Sequence, residues 1–175
     1  MSEKVTIKVE RKTLHLPTIA LRGLVVFPNN LVHFEVGREK SIAAVEWAMA
    51  NNSNVFLVAQ KSMDTTEPQQ ADLFSYGVVA EVKQVLRVSG DLVKVLVEGK
   101  YRAKLSVLDA SGDFLLSEVR PAPVRAGKAD DAVETEALLR ALKAGFDEYL
   151  GMNPRLGKDV VFAIVSSDDP AFLSE

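Results

Sequence analysis

The chain has 175 residues, 47% hydrophobic and 26% charged, with 21 basic against 24 acidic side chains and a net charge of −3. This is the balance of a globular protein with enough apolar material for a core, and it gives no electrostatic basis for binding nucleic acid or an anionic membrane. With no cysteine, disulfides, thiolate metal sites and thiol chemistry are excluded.

The N-terminus, MSEKVTIKVE, carries charges where a signal peptide needs an apolar stretch. The longest strongly apolar run, residues 160–165, falls far short of the ~18–20 residues that span a bilayer. A soluble, cytoplasmic protein is expected.

Residues 4–9 alternate Lys4, Thr6 and Lys8 against Val5, Ile7 and Val9, the period of a strand with one wet face. A second strand is predicted at 31–36. A helix follows at 39–50, where Ile42, Val45 and Met49 recur at helical spacing and define a buried stripe. Residues 54–60 form the next strand candidate. Residues 61–72 are polar, contain Pro68 and read as a mobile loop. The clearest hairpin lies at 81–105, with Ser89-Gly90-Asp91 as its turn. There Val82, Leu86 and Val88 are expected on one face. The return strand places Val93, Val95, Val97, Tyr101, Ala103 and Leu105 together, and Gly99 marks a bulge or bend. A last strand is expected at 113–119.

Pro121-Ala122-Pro123 ends the β pattern, and the period then becomes helical. Leu138, Leu139, Leu142, Phe146, Tyr149 and Leu150 share a stripe of about 120°. Acidic residues Asp130, Asp131, Glu134 and Glu136 load the start of that helix, where the dipole favours them. Gly151 and Pro154 close it, and a shorter helix is predicted at 158–166. Asp169 followed by Pro170 announces another helix, expected to be cut off by the end of the chain. The organisation is therefore a β-rich part at 1–120, a linker at 121–130 and an incomplete helical part at 131–175. Residues 1–123 hold fifteen basic and fourteen acidic side chains, residues 124–175 six and ten.

Motifs for catalysis are missing. His15 and His33 lack metal-binding spacing, and no GxSxG elbow occurs. The segment from Gly151 to Lys158 is one residue too long for a phosphate loop, and Pro154 would remove an amide from the cradle, so it reads as a helix-to-helix turn. No catalytic, cofactor-binding or metal-ligating residue is assigned. Three surface features remain. Lys94, Lys100, Arg102 and Lys104 line one strand face, though Glu98 stands in the same row and favours an ordinary solvated face over a phosphate track. Trp47 lies about 140° around its helix from Ile42, either exposed as a contact residue or packed under the 61–72 loop. Pro28-Asn29-Asn30 must turn the chain, which sets Phe27 and Leu31 beside a loop tip where they either capture apolar segments or cap the fold. Phe27, Pro28, Leu31 and Trp47 are the candidate contacts for a protein substrate.

Four ordered motifs resemble the N-terminal domain of Lon, the bacterial ATP-dependent protease family. They are the run from Leu16-Pro17 through Leu21-Arg22 to Val25-Val26-Phe27-Pro28, Val36-Gly37-Arg38-Glu39-Lys40-Ser41-Ile42, the stretch from Asp72-Leu73-Phe74 to Val82, and that from Val93 to Ala103. Asp168-Asp169-Pro170 resembles a later motif. The departures are His33-Phe34, where many relatives have proline and leucine, and Gly23, where an acidic residue is common. The resemblance implies an α+β fold: a β-rich, PUA-like pseudo-barrel with one inserted helix, followed by helices. It also implies a substrate-recognition domain supporting assembly of a homohexameric ring. The parent would unfold damaged, unfolded or tagged proteins with ATP and magnesium and cut them with a Ser–Lys dyad, none of which maps onto this chain. An oligomerisation spacer and a PUA-like RNA-binding module are the alternatives.

Overall fold

The computed structural model describes residues 13–51, 53–89, 92–123, 132–153 and 157–173. The expected strand at 4–9 and most of the expected linker lie outside them. The chain divides into two compact units, residues 1–123 and 124–175.

In the first unit the strands are β1 (Leu14–Leu21), β2 (Leu31–Val36), β3 (Asn54–Ala59), β4 (Tyr76–Ser89), β5 (Leu92–Asp109) and β6 (Leu115–Pro121). Helix α1 (Glu39–Asn51) joins β2 to β3. The order across the sheet is β2-β5-β4-β3-β1-β6, and β5 also pairs with β6. Five strands therefore close into a ring with β2 added outside it. Only β1 and β3 run parallel. The α+β expectation holds, and the closure is that of a small barrel.

The length of β5 makes this closure possible. Its first half, from Val93 to Glu98, pairs with β2, and its second half, from Ala103 to Asp109, pairs with β6. Between them Ala80 opposes Gly99 while Val79 opposes Tyr101, so Lys100 is an extra residue. One added residue bends a strand and reverses which face its later side chains meet. Val93, Val95 and Val97 consequently belong to one apolar cluster, and Ala103 and Leu105 to another. The bulge expected at Gly99 is present.

β1 and β3 separate the two clusters, and their alternate residues feed both. Ile19, Leu21, Val55 and Leu57 pack with α1, β4 and β5 residues, whereas Leu16, Ala20, Phe56 and Val58 pack with Val79, Leu115 and Val119. Thr18 is buried with Ser117, and its hydroxyl donates to Ser117 Oγ at 2.6 Å. Pairing satisfies both polar groups inside the barrel.

Three local expectations change. On α1 the buried residues are Ser41, Ala44, Val45 and Ala48, so the stripe is rotated and Met49 is exposed. Small alanines face the sheet because they let helix and sheet approach closely. In β4 a second bulge between Val82 and Gln84 reverses the faces, leaving Val82 buried but Leu86 and Val88 exposed. The 61–72 connection is fastened rather than loose. Arg22 and Arg38 donate to the Thr65 and Thr66 carbonyls, Gln60 Nε2 donates to Ser62 and Thr65, and Pro68 is buried.

In the second unit α2 (Ala132–Met152), α3 (Lys158–Ser166) and α4 (Pro170–Leu173) match the predicted helices. Gly151 lies in the last turn of α2 and Gly157 immediately precedes α3. Lys143 Nζ meets Asp168 Oδ1 at 2.7 Å. No residue of α2 is buried.

Candidate functional site

The chain reverses where Pro28-Asn29-Asn30 requires it. Asn29 adopts φ 62°, a left-handed conformation that asparagine tolerates. The turn is pinned to the bend of β5: the Asn29 amide donates to the Gly99 carbonyl and the Gly99 amide to the Asn30 carbonyl, both at 2.9 Å. A Cβ at residue 99 would stand 2.2 Å from the Phe27 carbonyl oxygen. Glycine at 99 thus serves two purposes, the bulge and the close approach of this loop. Phe27 and Pro28 are half-buried against the barrel, while Leu31, first in β2, is 64% exposed.

Leu31 shares a strand face with His33, and His33 lies opposite Leu96 of β5, itself opposite Gln84 of β4. Leu86 lies opposite Lys94 in the next row. His33, Gln84, Leu86, Lys94 and Leu96 line an open cleft of about 210 Å³. An outward face of three strands therefore presents Leu31, Leu86 and Leu96 beside polar neighbours. Leu86 belongs to it because of the β4 bulge, which no glycine or proline marks, and simple alternation assigns it to the opposite face.

Charges border this face. Lys83 Nζ lies 2.9 Å from Oε2 of both Glu81 and Glu98, and Lys100 Nζ lies 2.9 Å from Glu81 Oε2 and 2.7 Å from Glu98 Oε2. Hydrogen bonds from Lys83 and then Lys100 hold the Glu81 carboxyl down at about 2. The Glu98 carboxyl is lowered by Lys100 and then Lys83, and both ammonium groups are raised in return. Lys104 sits 5.9 Å from the ring centre of Tyr76. Of the basic row read from the sequence, Lys100 is thus balanced by Glu81 and Glu98.

Trp47 occupies a different element. Its ring lies 5.7 Å from that of Phe114, in the connection before β6, and it remains 39% exposed. Its ring partner is therefore Phe114, not a residue of the 61–72 loop. Phe27, Pro28 and Leu31 come together at the β1–β2 turn, and Trp47 stands apart on α1.

A second cleft, of about 290 Å³, opens between β1, β2 and the start of α1. Ile19, Leu21, Leu24, Phe34 and Val36 give it apolar walls, and Arg22, Arg38, Glu35 and Ser41 also line it. Arg38 Nη2 donates to the Ala20 carbonyl at 2.6 Å and to Gln60 Oε1 at 2.7 Å. Burial and then the adjacent Arg22 charge lower its pKa. Among the described residues no three histidine, aspartate or glutamate side chains form a metal-binding group, and no helix is long and apolar enough to cross a membrane.

The geometry defines a small closed β unit with open apolar contact surfaces, joined in sequence to a helical unit. Comparison with known proteins gives such an arrangement a family. The family model described as the ATP-dependent protease La (LON) substrate-binding domain matches residues 15–175. The Lon protease of Desulforamulus reducens is 37% identical over 160 residues, covering 91% of this chain and 19% of the relative. That of Escherichia coli K12 is 37% identical over 162 residues, covering 93% of this chain and 20% of the relative. A solved N-terminal domain of a Mycobacterium avium complex Lon protease superposes with a TM-score of 0.73 at 21% identity, covering 92% of this chain and 80% of that one, which establishes likeness of fold. The chain belongs to the Lon substrate-binding domain family, and it spans about a fifth of the length of the curated relatives it matches.

Proposed function

We propose that this chain is the substrate-recruiting and assembly-supporting domain of a cytoplasmic ATP-dependent Lon-type serine protease, and that it captures exposed apolar segments of unfolded, damaged or tagged proteins. ATP and magnesium binding, unfolding and cleavage by a Ser–Lys dyad belong to other parts of such a protease. The observation that carries the capture step is the outward face of β2, β5 and β4, where Leu86 and Leu96 line an open cleft and Leu31 stands exposed on the same face. Phe27 and Pro28 lie just before Leu31, in the turn that backbone bonds fasten to Gly99. Trp47 offers a separate, smaller contact.

Capture by such a shallow face is weak and reversible. In a homohexameric ring, linked copies raise avidity by ~10²–10⁴ without new contacts. Weak single-site binding also permits release toward the unfolding machinery. Pairing of Lys100, a central member of the basic row, with Glu81 and Glu98 weakens the RNA-binding alternative. An assembly role for the second unit draws support from Val133, Leu138 and Phe162, which are 80%, 63% and 74% exposed.

The test is fluorescence anisotropy with a labelled, permanently unfolded protein. The double substitution Leu31→Ser, Leu86→Ser should weaken binding by at least roughly tenfold, since full burial of one leucine contributes about 1.5–3 kcal/mol and even partial burial of two exceeds the ~1.4 kcal/mol of one decade. Both side chains are exposed, so the fold should survive. Unchanged affinity in a folded double variant rejects this face as the capture surface.

A further inference from the structure

The cleft between β1, β2 and α1 gathers two arginines whose bonds to the 61–72 connection leave donors over. Arg22 and Arg38 donate to the carbonyls of successive residues, Thr65 and Thr66, which brings two positive charges to one rim. Neither has a carboxylate partner among the described residues. Each guanidinium carries five N–H donors. Arg38 uses three of them, on Ala20, Gln60 and Thr66, and Arg22 uses one, on Thr65. The remaining donors stand beside a cavity with apolar walls, and juxtaposed like charges lower their mutual repulsion by taking an anion between them.

We propose that this cleft binds the C-terminal end of a polypeptide, with the α-carboxylate held by Arg22 and Arg38 and an apolar final side chain seated among Leu24, Phe34 and Val36. The proposal deepens the capture reading and rests on it. Size and charge select this ligand. The cavity of about 290 Å³ admits one or two residues, not a folded partner. Small-ligand pockets of ~300–1,000 Å³ typically combine apolar walls with a few fixed polar groups, as here. Glu35, the one acidic residue lining the cleft, disfavours a second negative charge and so favours a carboxylate over a phosphate. Arg38 is fixed by β1 and Gln60 and supplies a rigid half of the clamp. Arg22 is exposed and among the described residues is tied only to Thr65, so it can close over a ligand.

The experiment titrates the 175-residue chain with a flexible Gly/Ser hexapeptide ending in leucine, as the free acid and as the C-terminal amide, followed by backbone NMR. The free acid should bind at least about tenfold more tightly than the amide, as expected when a charge-assisted hydrogen-bonded pair is lost. Shifts should centre on Arg22, Phe34, Val36 and Arg38. Arg22→Gln should reduce the acid-to-amide ratio to below about twofold; Arg38→Gln is the poorer probe because Arg38 also holds β1 and Gln60. Equal binding of acid and amide, retention of the preference in Arg22→Gln, or binding of neither form overturns the clamp. Shifts confined to Leu31, Leu86 and Leu96 and indifferent to amidation overturn it while leaving the capture reading standing. Failure of the Leu31→Ser, Leu86→Ser test with the clamp intact does the reverse.

Discussion

The two units of the chain solve the burial problem differently. Among the described residues every buried apolar one, from Leu16 to Val119, lies in the first unit, where each strand of the barrel has partners on both edges. In the second, α2 buries no residue, and Leu138, Leu142 and Tyr149 stay 63%, 46% and 48% exposed. Most helical stability in proteins comes from packing an apolar face, and α2 has little such packing. The β unit is therefore the stable platform that holds contact surfaces in place. The helical unit presents apolar side chains suited to further association.

Breaking the platform should have the largest effect. Gly99→Ala pushes a Cβ into the Phe27 carbonyl and disturbs the two backbone bonds to Asn29 and Asn30. Chemical denaturation should show a loss of about 3 kcal/mol, combining overpacking with damaged hydrogen bonds. A second prediction concerns rates of amide exchange. Amides of β1, β3 and β5 should exchange only through global unfolding, and those of α2 orders of magnitude faster. Equal protection in both units would erase the contrast.

The charge square predicts a pH dependence confined to the platform. Glu81 has a folded pKa below its unfolded value, so its contribution is present above pH 4.5 and is lost as pH falls toward about 2. Carboxyl NMR should find Glu81 titrating near 2 in the native chain, and Lys83→Met should move that titration upward toward 4.5. The raised Lys83 and Lys100 groups act oppositely: their contribution is complete below 10.5 and fades at higher pH.

Smaller effects sharpen the comparison. Phe114→Ala removes the ring partner of Trp47 and should red-shift tryptophan emission, with a stability loss of about 0.5–1.5 kcal/mol beyond the area lost. In the helical unit, Asp168→Asn breaks the contact with Lys143, yet Asp168 is 92% exposed and the midpoint of unfolding should not move.

Sequence patterns revealed some of this and concealed the rest for physical reasons. β2 and β3 are visible as alternation or as a short apolar run, and α1 through the spacing of Ile42 and Val45. β1 is hidden because every residue from Leu16 to Leu21 is buried, which removes the alternation, and because Pro17 argues against a strand. Its pairing resolves that objection: β3 joins only from Thr18 onward, so Pro17 owes that neighbour no amide. The turn at Pro28-Asn29-Asn30 and the exposure of Leu31 are legible locally. Leu86 is not, because the reversal at Val82 and Gln84 depends on pairing with β5. The arginine cleft is also invisible to spacing, since Arg22, Arg38, Gln60 and Thr65 meet only through the fold.

The proposed recruitment of unfolded protein by an apolar face of the β platform meets its sharpest test in an NMR titration of this chain with one model protein, in native and permanently unfolded forms, at low and high salt. The account predicts shifts only with the unfolded form, clustered at Leu31, His33, Leu86 and Leu96 and persisting at high salt, because apolar contacts are not screened. Silence toward the unfolded form, or binding that vanishes with salt, would contradict it.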